Sequence, residues 1–294
     1  MEKFNLEKKS LHLDYLPQSE VEWLETNKFN IEMIEIKGHQ IRCALTHGTE
    51  GERLVTMVGG IPRDPERCKK LPLINKLYGH LALKLLDHNE SSLLYNQPAT
   101  GGSNGEWEVE TFQSRIDVLT ELVNHFHKRI MSFDHSLIGA SAGAYMAVEA
   151  LEQLQIQGLK ISKLILLSPA AYPKNIEHIP YGQEFTDSIR KPWKIEESPV
   201  FSKLEKYVRS GGSAYITFFE IDDPPIPYQI QKYYEDLAKR LSAEGGNIIV
   251  TIIPGVTHNF RKINLEVDKN IVNNDSIRTT ANQFIDFLTK TKNE

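Results

Sequence analysis

Five small residues in a row, Gly139-Ala140-Ser141-Ala142-Gly143, join an apolar run ending at Leu137-Ile138 to a segment of helical pattern. A strand that turns directly into a helix holds its corner residue in a strained backbone conformation. The neighbours must be small for the chain to turn without a clash. The pattern is G-x-S-x-G in strand–turn–helix context, with Ser141 at the corner. The N–H groups opening the helix point at that serine and can stabilise charge developing on an oxygen there.

The rest of the chain supplies the sheet that such a corner needs. Eight segments read as strands: Ile31–Ile36 and Gln40–Thr46, joined by a turn at Lys37-Gly38-His39, then Leu54–Val58, Leu93–Tyr95, Ser136–Ile138, Ile161–Leu167, Ala214–Phe219 and Ile248–Ile253. Helical spacing occupies Leu73–Leu86, Glu108–Ile130, Gly143–Gln155, Tyr228–Leu241 and Ser276–Thr289. The apolar strands are continuous rather than alternating, as in strands of a parallel sheet buried on both faces. Strands alternating with helices give the α/β class.

One stretch, residues 172–210, breaks the alternation and is rich in Pro and aromatics, including Tyr172, Tyr181, Phe185, Trp193 and Phe201. It reads as a small cap insertion over the carboxyl edge of the sheet, or as a helical connection on one face. The expected organisation is one domain over residues 1–294, with an N-terminal extension over 1–29. There, Ser19-Glu20-Val21-Glu22 opens a short helix containing Trp23.

Composition excludes several classes. The 294 residues are 40% hydrophobic, enough for a sizeable core, and the net charge of −5 offers no basic stripe for nucleic acid. No apolar stretch approaches the ~20 residues of a membrane span, and the start of the chain has no apolar signal region. Two cysteines, Cys43 and Cys68, build neither a disulfide framework nor a four-ligand zinc site. A cytoplasmic setting is the expectation.

A serine hydroxyl needs a base, and a histidine oriented by a carboxylate supplies one. Asp222-Asp223, directly after the strand ending at Phe219, offers the acid. The prolines that follow force an abrupt exit from the strand. His258, just past the strand ending at Ile253, offers the base. Ala142 N–H, with Gly60 or Ile61 after the strand ending at Val58, offers the oxyanion donors. Glycine at position 60 permits close approach to a substrate. His125 and His127 lie two apart and share no helix face for a metal. His135 falls at the far end of the sheet from Ser141.

These residues together resemble the α/β-hydrolases over about residues 30–290. Gly139–Gly143 resembles the family's nucleophile elbow. Asp223-Pro224-Pro225-Ile226-Pro227 is similar to its Asp-x-x-[Ile/Val]-Pro, which favours Asp223 over Asp222. His258 before Asn259-Phe260 resembles its base, and Gly101-Gly102-Ser103 its Gly-x-Ser loop. Val58-Gly59-Gly60 stands where the family has His-Gly, and Asn96 where an Asp is common.

The resemblance implies a mostly parallel eight-stranded sheet flanked by helices, and hydrolysis of a small-molecule ester by Ser141, His258 and Asp223. Gly60 and Ala142 would bind the oxyanion, and no metal or organic cofactor is required. Ile61, Tyr172, Tyr181 and Trp193 are the substrate-pocket candidates. Thioesterase, peptidase or acyltransferase chemistry would use the same triad, and a binding protein with a silent site shares the fold.

Overall fold

The structure, a computed structural model, describes residues 29–48, 53–61, 64–220, 227–257, 260–264 and 269–290. One sheet holds β1 (Asn30–Ile36), β2 (His39–Thr46), β3 (Arg53–Val58), β4 (Ser91–Tyr95), β5 (Asp134–Ala140), β6 (Ile161–Leu167), β7 (Ser213–Phe219) and β8 (Asn247–Ile253). The spatial order is β1-β2-β4-β3-β5-β6-β7-β8. These are the eight segments expected from the sequence. β2 runs antiparallel to both β1 and β4, and all other neighbours pair in parallel. The sheet is therefore mostly parallel, with a mixed edge where the Lys37-Gly38 turn folds the first hairpin.

The helices are α1 (Pro65–Lys69), α2 (Lys76–Asp87), α3 (Phe112–Ile130), α4 (Ala142–Ile156), α5 (Gln183–Arg190), α6 (Pro199–Arg209), α7 (Tyr228–Ala243) and α8 (Asn274–Thr289). None among the described residues is long and apolar enough to cross a membrane. Successive strand residues serve opposite faces. Leu164 and Leu166 join the core under α3, α4, α6 and α7. Ile165 and Leu167 join the core under α2 and α8. Each such side chain contributes about 1.5–3 kcal/mol by leaving water, so two buried faces hold the sheet between two helical layers.

Three features depart furthest from the sequence pattern. α3 starts at Phe112 rather than Glu108, because Thr111 and Ser114 cap each other reciprocally, each side chain accepting from the other's N–H at 3.0 Å. A small antiparallel hairpin, β9 (Arg261–Asn264) and β10 (Lys269–Val272), lies between β8 and α8. The segment 172–210 divides in two. α6 packs on α4 and α7 as the crossover from β6 to β7. The part before it carries α5 and two 3-10 turns, Lys174–Ile176 and Ile195–Glu197.

The connection β3–α2–β4 covers one face of the sheet, and β4–α3–β5 covers the other. The strand order therefore reverses at β3 and β5, which are neighbours. In open α/β sheets ligands bind in the crevice outside the carboxyl ends of the strands at such a reversal. Gly59–Ile61 leaves β3 at this crevice, and Ser141 leaves β5 there.

Candidate active site

Ser141 occupies the corner between β5 and α4 with φ 54° and ψ −121°. Holding a non-glycine residue in this region costs about 1–3 kcal/mol, and the surroundings enforce it. Ser141 N–H donates to the Leu167 carbonyl at 2.9 Å, while its own carbonyl accepts from Ala144 and Ala170. A Cβ on Gly139 would lie 2.5 Å from Ala144 Cα, and one on Gly143 would lie 2.3 Å from the Val58 carbonyl oxygen. Strand, helix and the loop after β3 close on one another only because both positions are glycine.

The side chain of Ser141 is half-buried at the carboxyl edge, at the N-terminus of α4. The first N–H groups of a helix have no intrahelical acceptor, so the Ala142 N–H is available to a ligand beside Ser141. Gly60 approaches from the other side. A Cβ there would come within 3.2 Å of Ser141 Cβ and 3.8 Å of its Oγ. Two of the expected oxyanion positions thus flank the serine.

The acid and base positions, Asp222, Asp223 and His258, lie outside the described residues, as does the helix expected around Trp23. The ends of their loops are described. Glu220 N–H donates to the Ile253 carbonyl at 3.0 Å, and Gly255 N–H donates to Glu220 Oε2 at 2.7 Å. The Phe219 and Phe260 rings meet edge-on at 5.0 Å. The loops after β7 and β8 therefore begin side by side, on the edge that carries Ser141.

Beside Ala142 is a small cavity of about 30 Å³, lined by Ile61, Trp107, Phe112, Tyr172, Tyr181 and Phe185 among others. Phe112 is its hub, with ring centroids 5.0 Å from Tyr172, 5.6 Å from Tyr181 and 5.4 Å from Phe185. Trp107 stacks on Tyr181 at 4.8 Å. Behind them the fully buried Arg115 guanidinium lies 4.4 Å from the Tyr181 centroid and donates to the Pro98 carbonyl at 2.8 Å. Three of the four pocket candidates, Ile61, Tyr172 and Tyr181, meet here. Trp193 does not line this cavity; it packs half-buried against the main core. Trp107, Phe112 and Phe185 carry no local sequence signal that separates them from ordinary core aromatics.

A charged network fixes the segment above the cavity. Tyr145, one turn along α4 from Ser141, donates to Glu177 Oε1 at 2.6 Å. Lys174 bridges Glu177 at 2.5 Å and Glu149 at 3.1 Å, and Lys203 reaches Glu149 at 2.7 Å. Burial raises the Glu149 carboxyl above its ordinary range, opposed by Lys203. Burial also pushes the Cys68 thiol up to about 11 and that of Cys43 higher still. Both thiols stay protonated at neutral pH, and a thiol is a poor nucleophile. A second cavity, of about 330 Å³, opens between α4 and α6 at the amino edge of the sheet, away from Ser141.

No protein-family model matches the sequence, and a search of curated proteins returns no match. Solved structures do match. Est1E from Butyrivibrio proteoclasticus, solved with ferulic acid bound, aligns over 87% of this chain and 97% of its own, with a TM-score of 0.63 at 16% identity. XC6422 from Xanthomonas campestris, an α/β serine hydrolase without a lid, aligns over 90% and 97%, with a TM-score of 0.58 at 13% identity. An α/β serine hydrolase homologue from Coxiella burnetii aligns over 88% and 97%, with a TM-score of 0.55 at 14% identity. The chain has the α/β-hydrolase fold.

Proposed function

We propose that the protein is a serine hydrolase cleaving a carboxylic ester of a small or medium acyl substrate. The observation that carries this reading is the backbone of Ser141. A serine held at φ 54° and ψ −121° between a strand and a helix N-terminus, with glycines packed around it, has the corner geometry that presents a nucleophile beside free helix N–H groups. Support for the remaining roles comes from the paired starts of the loops after β7 and β8, which lead in sequence to Asp223 and His258. The bound acid in Est1E is a carboxylic acid, the product class of ester cleavage.

In this reading His258 removes the Ser141 proton as Oγ bonds to the substrate carbonyl carbon, and Asp223 holds the imidazole. The carbonyl oxygen becomes an oxyanion between the N–H groups of Gly60 and Ala142. His258 then returns the proton to the departing alcohol. Water attacks the acyl-serine by the same route, releasing the acid and restoring Ser141. The aromatic cavity receives an apolar part of the substrate. Its wall is aromatic and apolar, with Tyr172 and Phe185 among its lining residues.

The test is a panel of p-nitrophenyl esters, acyl thioesters and aminoacyl amides run on four proteins. The wild type should favour the esters over the thioesters and the amides. His258→Ala should lose kcat by on the order of 10⁴, and Asp223→Asn should lose more than Asp222→Asn. Activity that survives His258→Ala removes the base assignment. A larger loss at Asp222 moves the acid by one residue.

A further inference from the structure

The Gly60 N–H can bind an oxyanion only if its peptide plane is aimed at the space beside Ser141. Glycine does little to aim itself, since it lacks the side chain that restricts φ and ψ. The aim must therefore come from what holds the neighbouring atoms. The carbonyl of Gly59 and the N–H of Gly60 belong to one rigid trans peptide and point in opposite directions. Whatever holds the Gly59 oxygen sets the direction of the Gly60 N–H.

That oxygen is held by Gln97, whose Nε2 donates to it at 2.7 Å. Gln97 is buried, 4% exposed, on the loop that leaves β4. Only the NH2 end of an amide can donate to a carbonyl, so the orientation of the side chain is unambiguous. Its Oε1 is buried with no partner among the described residues, which leaves the bond to Gly59 as the polar contact the side chain makes. Gln97 is itself anchored, because its carbonyl accepts from both the N–H (3.0 Å) and the hydroxyl (2.8 Å) of Thr100. The preceding peptide is held in the same way, with Tyr78 OH donating to the Val58 carbonyl at 3.0 Å.

We infer that Gln97 is a positioning residue that aims the Gly60 N–H at the oxyanion site. This deepens the proposed function and rests on Ser141 being the nucleophile. It also gives a role to the small-residue loop Gln97–Gly105, which the triad leaves unexplained. Ser103 Oγ bonds back to the Asn96 carbonyl at 2.7 Å, so the loop forms a stiff mount for Gln97.

The test compares the wild type with Gln97→Met, of similar length but without a donor, and with Gln97→Glu. Steady-state kinetics on an ester, thermal melting, and inhibition by an alkyl boronic acid that forms a tetrahedral serine adduct are measured on each. For Gln97→Met, kcat should fall about 10- to 100-fold with KM within about two-fold and the melting temperature little changed. The boronate inhibition constant should rise by about the same factor. For Gln97→Glu, the deficit against wild type should shrink as pH falls through the carboxyl range, because a protonated carboxyl can donate to Gly59. An unchanged kcat in Gln97→Met overturns the inference, as does a Gln97→Glu deficit independent of pH. If the wild type hydrolyses no ester and takes no label at Ser141, the underlying reading fails and the inference with it. An active, labelled wild type beside an unimpaired Gln97→Met defeats the inference alone.

Discussion

His135, at the amino end of β5, should make the protein sensitive to mild acid. Its ring is 1% exposed, with Nε2 3.0 Å from Nδ1 of His127 on α3 and 3.3 Å from Ser132 Oγ. Nδ1 has no partner among the described residues. Burial, and then the neighbouring His127, lower its pKa from 6.5 to about 4. Asp134 pulls the other way, but its carboxylate is engaged by Arg53 at 3.1 Å and Ser162 at 2.7 Å. In the unfolded chain the ring takes its proton near pH 6.5, and in the folded protein it resists until about pH 4.

Between those values the unfolded state binds more protons, so stability falls as pH falls. At 1.36 kcal/mol per tenfold, the full loss is about 3 kcal/mol, complete near pH 4. Urea unfolding of wild type and His135→Gln at intervals from pH 7.5 to 4 isolates this contribution, because the carboxylates are common to both. The wild type should lose about 3 kcal/mol more than the variant across the window. Parallel stability curves would refute the reasoning, since they would mean that the buried ring is protonated as readily as a free one.

Two further outcomes follow from the packing. Gly143→Ala places a methyl against the Val58 and Gly59 carbonyls; it should cost about 1–3 kcal/mol in thermal unfolding, and ester kcat should fall as the Gly60 loop is pushed from Ser141. Lys163→Met removes an ammonium that donates to the carbonyls of Phe287 (2.8 Å), Leu288 (2.7 Å) and Lys290 (2.5 Å) at the end of α8. It should cost about 1.5–3 kcal/mol, with faster amide exchange in the last turn of α8, and unchanged exchange there would contradict the anchor.

What was legible in the sequence follows from the range of the forces involved. The eight strands show themselves as apolar runs and the long helices through apolar periodicity, because the faces they bury are set by their own residues. The tight corner at Ser141 is legible because it demands small neighbours within two positions on either side. The start of α3 is hidden in the sequence because Ser114 stands where a capping box usually has Glu or Gln. The hairpin β9–β10 is short, and its four-residue strands give too little alternation to register. Gln97 and Gly59 are 38 residues apart, and nothing local in Gln97-Pro98 announces that its amide meets a carbonyl on another loop. Tyr145–Glu177 and Arg115–Tyr181 are invisible for the same reason. Trp193 is a pocket candidate on composition alone, and an aromatic in a cap-like stretch can equally pack inward, as this one does.

The most direct test of the account is intact-protein mass spectrometry after brief exposure to a fluorophosphonate. One adduct should form, map to the tryptic peptide containing Ser141, and vanish in Ser141→Ala while circular dichroism stays unchanged. A folded wild-type protein that takes no adduct, or takes it on another residue, would contradict the assignment of Ser141 as nucleophile.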